Sequence, residues 1–515
     1  MSFQSKYIKY KTKYINLLKK IHGGTNVEST QSKLYIDIYK FKLLNYPSHS
    51  TAKNVSFGTL SKTIDLNKGI VKSTSDITNS IEDSYYSVDY IKSDNISNKY
   101  YSDYLNYPAK SDLDNPKYKY TNEYIHKLIK IICKTINILQ CRLKHALRKY
   151  NKIDQFDEIT NDTGYITKIN ITNKHKIIVF GDNHGSYHTF FRSMLRLHLC
   201  CVIDLNTFKV NDNYIVIFLG DIVDRGNFSL EILIIIFKFI INNKPHKFII
   251  NRGNHEEMSI TEQYGFLDEI KYKIPTEFQS IFNNIIKIFT LCSTAIILIN
   301  TDSKKKYWLC HGLICNDANI DIFINNNDRI FILDKQQANN IRWSDTPEYN
   351  QNTLILNEDS TFNYNGRPQI GTKILSKYLS PDYFEFIIRG HEDRYSNAWL
   401  LSSTIHRMHM GIDYENTINN KFTIYKNATS QQLYNKDTSI TTTDYKQLDG
   451  PVQTITNLSY PDIYNVLTIS TNTDLKRPLT SDSYIVMRFD EKMLPNVTDT
   501  ILNSQEIDTW LNSKN

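Results

Sequence analysis

The 515-residue sequence lacks the features that mark several classes of protein. Its seven cysteines form no CxxC pair, and this odd count without a secretory signal indicates a reduced, intracellular protein. The longest apolar run, residues 230–241, is interrupted by Glu231 and Lys238, so we expect no transmembrane segment. The formal net charge is only +7, which argues against a dedicated nucleic-acid-binding protein.

Glycine is also scarce, at 17 residues against 35 tyrosines. We attribute this bias to an AT-rich genome, and it says little about function. The apolar fraction of 40% is nevertheless sufficient for a sizeable core. A chain of this length has room for one large domain with extensions, or for two domains.

The first 24 residues contain six lysines and no acidic residue. They predict a basic amphipathic leader that lacks the apolar segment of a secretory signal. Such a helix is usually a solvated or partner-docked tail, although it can also contact an anionic surface. The leader resembles the short Lys/Tyr leaders of proteins from large DNA viruses, which implies a viral origin and a location in the host cytoplasm or the virion.

Three further segments lie outside the central part of the chain. Residues 25–120 are rich in Ser, Asn, Asp, Tyr and Lys, so we expect a low-complexity polar extension with little regular structure. A helix is predicted over 121–150 because apolar residues recur at the spacing of one helical face, and we expect residues 121–164 to pack on the main domain. Residues 496–515 are predicted to form a C-terminal tail.

The central part repeats one pattern, a short apolar β-rich run followed by a glycine-containing turn that carries Asp, His, Asn or Arg. Within residues 174–257 it reads KHKIIVFGDNHGS, NYIVIFLGDIVDRGN and HKFIINRGNHEE, and it recurs before His311 and His391. Short apolar runs bounded by glycine are typical of buried parallel strands. Because ligands bind at the carboxyl ends of such strands, we expect the turns to meet in one crevice.

The polar side chains of these turns are typical ligands of hard divalent cations. Carboxylate, amide and imidazole groups without thiolate suit Mn, Fe or Zn, and a bridging carboxylate lets two ions lie about 3.5–4 Å apart. A pair of such ions can lower the pKa of a bridging water and so make a nucleophile near neutral pH. We therefore expect two divalent metal ions, with Mn²⁺ for work in vitro and Fe or Zn as alternatives.

A series of motifs resembles the signature of the phosphoprotein phosphatases, a family of dinuclear metallophosphoesterases. In chain order the motifs are GDNHG (181–185), GDIVDRG (220–226), RGNHE (252–256), CHG (310–312), WSD (343–345), NGR (365–367) and RGH (389–391). This ordered set is specific, because each member follows a predicted strand or turn where the family has one. The resemblance implies an α/β (α+β) calcineurin-like fold over 165–495, in which helices flank a central β-sandwich with the metal site at its rim.

The resemblance also implies roles for individual residues. The implied metal ligands are Asp182 and His184 for the first ion, Asp221 as the bridge, and Asn254, His311 and His391 for the second ion. His255 is the candidate general acid for the leaving alkoxide, and Asp224 is the candidate to orient its ring. Arg225 and Arg367 are candidates to bind the phosphoryl oxygens, with Arg252 as a further candidate.

The sequence departs from the family pattern after the last motif. The next strand is predicted only at 465–470, so residues 393–464 form a polar insertion. The loop at 470–474 lacks the tyrosine expected near the cleft. We interpret Trp343 as a core residue, and His406 and His409, which follow no predicted strand, as surface or core histidines. These departures keep every predicted metal ligand but alter the region that recognises substrate.

Three functions remain open at this point. The leading interpretation is a metal-dependent phosphomonoesterase, a serine/threonine protein phosphatase that hydrolyses phosphoproteins by attack of a metal-bridging hydroxide. The first alternative is a diadenosine tetraphosphate hydrolase or another nucleotide phosphohydrolase on the same core. The second alternative is a phosphate-binding or virion scaffold protein that has kept the fold without useful turnover.

Overall fold

The computed structural model describes residues 33–42, 120–160, 163–185, 190, 193–194, 197–198, 200–205, 207–226, 228–350, 355–363, 365–392, 398–403, 406–409, 453–456, 463–471, 481–490, 492 and 494. The basic leader, most of the polar extension, much of the insertion and the C-terminal tail lie outside these residues. No helix in the described part is long and apolar enough to cross a membrane.

The helices and strands of the described residues alternate through the central part of the chain. The α-helices are α1 (Asn122–Lys149), α2 (Phe156–Thr160), α3 (Ser229–Asn242), α4 (Met258–Thr261), α5 (Phe266–Lys273), α6 (Phe278–Thr290), α7 (Ala318–Asn325), α8 (Lys335–Trp343) and α9 (Thr372–Tyr378). The strands are β1 (Tyr35–Lys42), β2 (Gly164–Ile171), β3 (Lys176–Phe180), β4 (Ile203–Asp204), β5 (Lys209–Val210), β6 (Tyr214–Phe218), β7 (Phe248–Ile250), β8 (Ala295–Asn300), β9 (Lys306–Cys310), β10 (Ile330–Leu333), β11 (Tyr349–Asn350), β12 (Ile355–Leu356), β13 (Thr361–Phe362), β14 (Pro368–Gln369), β15 (Phe386–Arg389), β16 (Ala398–Ser402), β17 (His406–His409), β18 (Gln453–Thr456), β19 (Ile463–Ile469) and β20 (Ser481–Arg488).

Two large sheets form the centre of the fold. One has the strand order β18-β1-β20-β3-β6-β7, and the other has the order β10-β2-β8-β9-β15-β19-β16-β17. The strands that precede the first three motifs, β3, β6 and β7, run parallel to one another. In the second sheet β9, β15 and β19 are also parallel. The predicted mixed α/β sandwich is therefore confirmed.

Alternation along each strand explains how the sheets are covered. Ile177 and Val179 of β3 lie in the apolar core between the sheets, whereas Ile178 and Phe180 pack against the helices outside the first sheet. Trp308 of β9 likewise points into a third apolar cluster outside the second sheet. Because both faces of these strands are buried, their sequences are continuous apolar runs. The layers are helices, sheet, sheet and helices.

The first strand corrects the prediction that the polar extension has little regular structure. β1 lies between β18 and β20 and pairs antiparallel with both. Ile36 and Ile38 are fully buried between the sheets. Asp37 points to the opposite face, where Arg488 donates two hydrogen bonds to its carboxylate, at 2.6 and 3.1 Å. Eight residues with alternating apolar side chains are enough for a strand, but the polar composition of the surrounding segment concealed them.

Three strands within the predicted polar insertion, residues 393–464, are integrated into the sheets. β16 pairs with β19, β17 pairs with β16, and β18 pairs with β1 at the edge of the first sheet. All five residues of β16 are buried, including Trp399. The apolar sequence AWLLS supplies the physical reason, because it must be covered on both faces. β17 runs from His406 to His409, a strand that the sequence did not predict.

The long helix α1 begins and ends within one residue of its predicted bounds. Thr121 accepts a hydrogen bond from the backbone N–H of Tyr124 and so caps the first turn. Arg148 and Lys149 lie in the last turn, where the helix dipole favours positive charge. The buried face of α1 packs with α3 and α6 in one apolar cluster outside the first sheet.

A buried ion triad joins α3 to α5 beneath the start of α1. The ammonium of Lys273 lies 2.7 Å from Glu231 and 2.8 Å from Glu269. The hydroxyl of Tyr120 donates to Glu231 at 2.7 Å. Burial raises the pKa of Glu269, whereas the two carboxylates hold the pKa of Lys273 above its ordinary value despite burial. The largely apolar helix α3 therefore carries a buried carboxylate, that of Glu231, whose charge is balanced by Lys273 inside the core.

Candidate active site

Five parallel-strand ends, from both sheets, meet at one site. β3, β6 and β7 come from the first sheet, and β9 and β15 come from the second. The residues that follow these strands are all buried, and they are Asp182, His184, Asp221, Asp224, Asn254, His255, His311 and His391. The turns that the sequence predicts to share one crevice are therefore neighbours, and the site lies where the two sheets meet.

The first cluster of possible metal ligands contains His184, Asp221 and His255, whose ligand atoms lie within 4.8 Å of one another. Nδ1 of His184 is 3.0 Å from the carbonyl oxygen of Val223, a contact that directs Nε2 towards the cluster. Nε2 makes no hydrogen bond within the described part and lies 3.6 Å from the Asp221 carboxylate. Burial, with the nearby charge of Arg225, lowers the pKa of His184 well below its ordinary value, so the ring is neutral.

The second cluster contains Asp221 again, with His311 and His391. Nε2 of His311 lies 2.8 Å from Oδ1 of Asn254, 3.1 Å from Nδ1 of His391 and 3.2 Å from Oδ2 of Asp221. Ligands that each lie about 2.0–2.2 Å from one ion are separated from one another by roughly this distance. Asp221 therefore belongs to both clusters, as a bridging ligand must.

The side-chain amide of Asn254 can face this cluster in two orientations, with either its oxygen or its NH2 group inward. With the oxygen inward, it faces the ring nitrogens of His311 and His391, as metal binding requires. Turning the amide would instead place its NH2 against the same nitrogens and the carboxylate of Asp221. The inward oxygen is thus suited to a cation, and the inward NH2 is suited to a site held by hydrogen bonds alone.

Asp182 connects the turn after β3 to the turn after β15. Its Oδ1 accepts the backbone N–H of His391 at 3.0 Å and lies 3.7 Å from Nδ1 of His311. Its backbone carbonyl accepts the N–H of Thr471, whose hydroxyl in turn accepts the N–H of Gly181. The loop predicted to replace the family's tyrosine loop therefore begins directly beside the first motif. Asp182 is a member of neither three-residue cluster, and its pairing with His184 at one ion stays a prediction.

His255 and Asp224 form a buried pair. Nδ1 of His255 lies 2.7 Å from Oδ2 of Asp224, whose other oxygen accepts the backbone N–H of Phe266 at 3.0 Å. Burial lowers the pKa of His255 well below its ordinary value and raises that of Asp224 well above its own. Burial thus favours a pair with no net charge. The other ring nitrogen, Nε2, lies 3.9 Å from the bridging carboxylate of Asp221.

Two of the three predicted arginines lie beside the clusters. Arg225 and Arg367 are half-buried, with guanidinium nitrogens 3.5 Å from Nε2 of His255 and 3.5 Å from Nε2 of His391, respectively. Arg252 differs, because only 1% of it is exposed and its Nε donates to a main-chain carbonyl. Arg252 is thus bonded within the RGNHE turn, and its role at the phosphoryl group stays a prediction.

Glu256 is a site residue that was visible in the RGNHE motif but received no predicted role. Its carboxylate is buried and accepts the backbone N–H groups of Asp221, Ile222 and Gly253. Burial and the nearby charge of Asp221 raise its pKa to about 7. Glu256 thereby joins the turn after β6 to the turn after β7, which fixes the spacing of the two clusters.

Trp343 corrects the prediction of a core residue. The indole is half-buried, and the Cζ atom of Arg367 lies 5.3 Å from the ring centroid. The ring also meets His391 edge-on, at a centroid distance of 6.1 Å. The sequence could not predict this contact, because it depends on the loop that returns Arg367 to the end of α8.

Strained backbone is concentrated at this site. Positive φ angles occur at His184 (48°), Asp221 (51°), Asp224 (72°), Arg225 (63°) and His391 (71°). Side chains other than glycine rarely adopt this region, and such strain persists where the surrounding contacts enforce it. The motif turns are therefore shaped to present side chains to the clusters.

Comparison with known proteins agrees with this geometry. Residues 175–395 match the family of calcineurin-like phosphoesterases. The chain is 24% identical over 255 residues to human serine/threonine-protein phosphatase 5, an alignment that covers 48% of this chain and 45% of that protein. It is 32% identical over 190 residues to serine/threonine-protein phosphatase T of Saccharomyces cerevisiae, covering 36% and 33% of the two chains. The alignments thus span less than half of these relatives.

A solved structure of a serine/threonine phosphatase from Saccharomyces cerevisiae aligns with 69% of this chain and 79% of its own, with 18% identity and a TM-score of 0.42. Residues 175–395 are thus similar to calcineurin-like phosphoesterases, in agreement with the ordered motifs and the two-sheet sandwich, and the similar proteins include serine/threonine phosphatases.

Proposed function

We propose that this protein is a metal-dependent phosphomonoesterase that hydrolyses phosphoserine and phosphothreonine in proteins. The main support is the carboxylate of Asp221, which two buried histidine clusters share, with Arg225 and Arg367 beside them. A dianionic phosphate monoester needs this concentration of positive charge. The resemblance of the leader, residues 1–24, extends the proposal to a protein encoded by a large DNA virus.

The residues present fit two divalent cations. Asp182, His184 and Asp221 would hold one ion, and Asp221, Asn254, His311 and His391 would hold the other. The buried, neutral Nε2 of His184 supports this assignment, because a buried ring nitrogen without a hydrogen bond is costly unless a ligand occupies it. When bound, the ions polarise the phosphoryl oxygens and make a water nucleophilic near neutral pH, and we propose Mn²⁺ in vitro.

The arginines would bind and orient the substrate. Each guanidinium can donate two parallel N–H bonds to phosphate oxygens, which fixes the phosphoryl group as well as neutralising it. Arg225 and Arg367 stand beside different histidines, His255 and His391, so they would hold the phosphoryl group from two directions. This arrangement aligns the scissile P–O bond for in-line displacement.

His255 would supply the proton to the leaving oxygen. Because Nδ1 faces Asp224, Nε2 is the ring nitrogen that would carry the transferable proton, which the ring must first take up to become an imidazolium. As the P–O bond breaks, the serine or threonine alkoxide would take this proton. The 2.7 Å contact with Asp224 favours this role over metal ligation, because it orients the ring.

Phosphate release by the purified, Mn²⁺-loaded protein tests the proposal. We expect phosphoserine and phosphothreonine peptides to be hydrolysed, and diadenosine tetraphosphate to be hydrolysed much more slowly. Preference for the dinucleotide would overturn the protein phosphatase assignment and leave the nucleotide phosphohydrolase. Absence of release from either substrate, with both ions bound, would overturn the enzymatic proposal in favour of a scaffold.

The nucleotide alternative has one structural observation in its favour. Phe362, in the first strand of the short hairpin whose turn contains Arg367, is 73% exposed. An exposed aromatic ring beside a phosphate-binding arginine could stack on a base. If the nucleotide is the true substrate, Phe362→Ala should impair hydrolysis of diadenosine tetraphosphate. The same variant should leave hydrolysis of a phosphopeptide unchanged.

A further inference from the structure

The residue that follows the RGNHE motif makes an unexpected contact with α8. Oε1 of Glu257 accepts hydrogen bonds from Nε of Arg342, at 2.9 Å, and from the indole Nε1 of Trp343, at 3.0 Å. Arg342 is fully buried, so the ion pair is shielded from solvent. One carboxylate oxygen thereby joins the turn that carries His255 to the end of the helix that carries Trp343.

The indole in turn lies against the guanidinium of Arg367. Cζ of Arg367 lies 5.3 Å from the ring centroid of Trp343, within the range of a cation–π contact. No carboxylate among the described residues forms an ion pair with Arg367, whereas Glu392 lies against Arg389 and Glu257 against Arg342. Since the aromatic face does not consume the N–H donors, they stay available to an anion.

The backbone of Arg367 is fixed independently of its side chain. Oδ1 of Asn363 accepts the N–H of Arg367 at 3.0 Å, and its Nδ2 donates to Asp345 at 2.9 Å. Asp345 lies 3.4 Å from Nε2 of His391. The hairpin is therefore anchored to the second cluster, and the indole of Trp343 decides where the anchored arginine directs its guanidinium.

We propose that Glu257 is a positioning residue for the phosphate-binding Arg367 and acts through the indole of Trp343. The inference rests on the proposed function, because it assigns the task of orienting the arginine that would bind the phosphoryl group. Without the bond to Glu257, the indole would lose its only hydrogen bond within the described part, and its plane would no longer be fixed against the guanidinium.

Trp343→Phe tests this relay without changing the buried ion pair, whereas Glu257→Gln also alters that pair. Trp343→Phe removes the indole N–H but keeps an aromatic face and leaves Glu257 paired with Arg342. Glu257→Gln keeps an oxygen acceptor for the indole but removes the charge. We expect Trp343→Phe to weaken binding of inorganic phosphate to the Mn²⁺-loaded protein by about 3–10-fold, as loss of part of a cation–π contact implies, and Glu257→Gln to weaken it by less.

A double-variant comparison separates positioning from general damage. In an Arg367→Ala background, Trp343→Phe should have no further effect on the phosphate Kd, because the group that it positions is gone. The matched control is Glu262→Gln, which changes an exposed glutamate nearby and should leave the Kd unchanged. An equal loss from Trp343→Phe with and without Arg367 would overturn the proposal, and so would an unchanged Kd in Trp343→Phe itself.

Failure of the proposed function would be distinguishable from failure of this relay. A wild-type protein that binds phosphate but hydrolyses no phosphomonoester would overturn the function, while the phosphate Kd values would still report on Glu257 and Trp343. A wild-type protein that hydrolyses phosphopeptides but shows no coupling between Trp343 and Arg367 would overturn only the relay.

Discussion

The imidazole of His255 and the carboxylate of Asp224 are 2.7 Å apart, and both are buried beside the carboxylate of Asp221, which the two histidine clusters share. This contact leaves Nε2 of His255 as the ring nitrogen that can exchange a proton with a substrate. Asp221 and Asp224 lie in one turn but have different contacts, since Asp221 faces both clusters whereas Asp224 contacts His255.

Replacing His255 should reveal the proton that the leaving group needs. We expect His255→Asn to reduce kcat for a phosphoserine peptide by about 10²–10⁴-fold, as loss of a general acid does. The loss should be much smaller for p-nitrophenyl phosphate, whose leaving group departs with little protonation. Steady-state kinetics on both substrates give the comparison. Equal losses on the two substrates would contradict the role of His255.

Replacing Asp221 should uncouple the two metal sites. Asp221→Asn is expected to lose at least one of the two ions and most of the activity, with the fold retained by circular dichroism. Metal analysis and thermal unfolding are the measurements. The free energy of unfolding of the wild type should rise by about 2.7 kcal/mol at a Mn²⁺ concentration 100 times its Kd, and a chelator should abolish that increase.

The matched control for this variant is Asp268→Asn, which removes an exposed carboxylate from α5. It should bind the same number of ions as the wild type and show the same stabilisation by Mn²⁺. If Asp221→Asn also shows that full stabilisation, Asp221 does not bridge two ions.

The ion pair of Asp37 with Arg488 should make β1 indispensable to the first sheet. Asp37→Ala leaves a buried guanidinium without its carboxylate, which we expect to lower the free energy of unfolding by about 3–5 kcal/mol. The double variant, Asp37→Ala with Arg488→Met, should lower the free energy of unfolding by less, because it also removes the uncompensated charge. Urea unfolding measures both.

Two truncations extend the same test. Removing residues 1–42 deletes β1 and should destabilise the fold, whereas removing residues 1–32 leaves β1 and its partners in place. Equal stability of the two truncated proteins would show that β1 contributes nothing to the sheet.

The buried triad around Lys273 should give a variant whose stability depends on pH. Lys273→Met leaves Glu231 and Glu269 buried without a cation, and we expect the free energy of unfolding to fall by about 3–5 kcal/mol at pH 8. Burial raises the pKa of Glu269, so the folded variant binds protons that the unfolded chain releases. The loss should therefore shrink as the pH falls towards 5.

Urea unfolding at pH 5.5 and pH 8 checks the sign. The exposed Lys271→Met on the same helix is the control, and its effect should stay within about 0.5 kcal/mol at both pH values. A Lys273→Met variant that loses more stability at pH 5.5 than at pH 8 would contradict the account.

The strand ends could be predicted from sequence because the signal is local. An apolar run and the turn after it specify both a buried strand and the side chains at its end, as in the turns that carry Asp221 and Asn254. The contacts that could not be predicted join distant segments. Asp37 and Arg488 are 451 residues apart in sequence. The bond between Glu257 and Trp343 likewise depends on how a turn and a helix end approach each other in space.

The position of β1 also sets an order for folding during synthesis. Its neighbour β20 is translated last among the described strands, and at about 5–20 residues per second the ribosome needs on the order of a minute to reach it. The strands that precede the proposed metal ligands, β3, β6, β7, β9 and β15, emerge earlier. Pairing of β1 with β20 therefore comes late, because the two strands are far apart in the sequence. Until then, the apolar side chains of Ile36 and Ile38 must be protected from association with other chains.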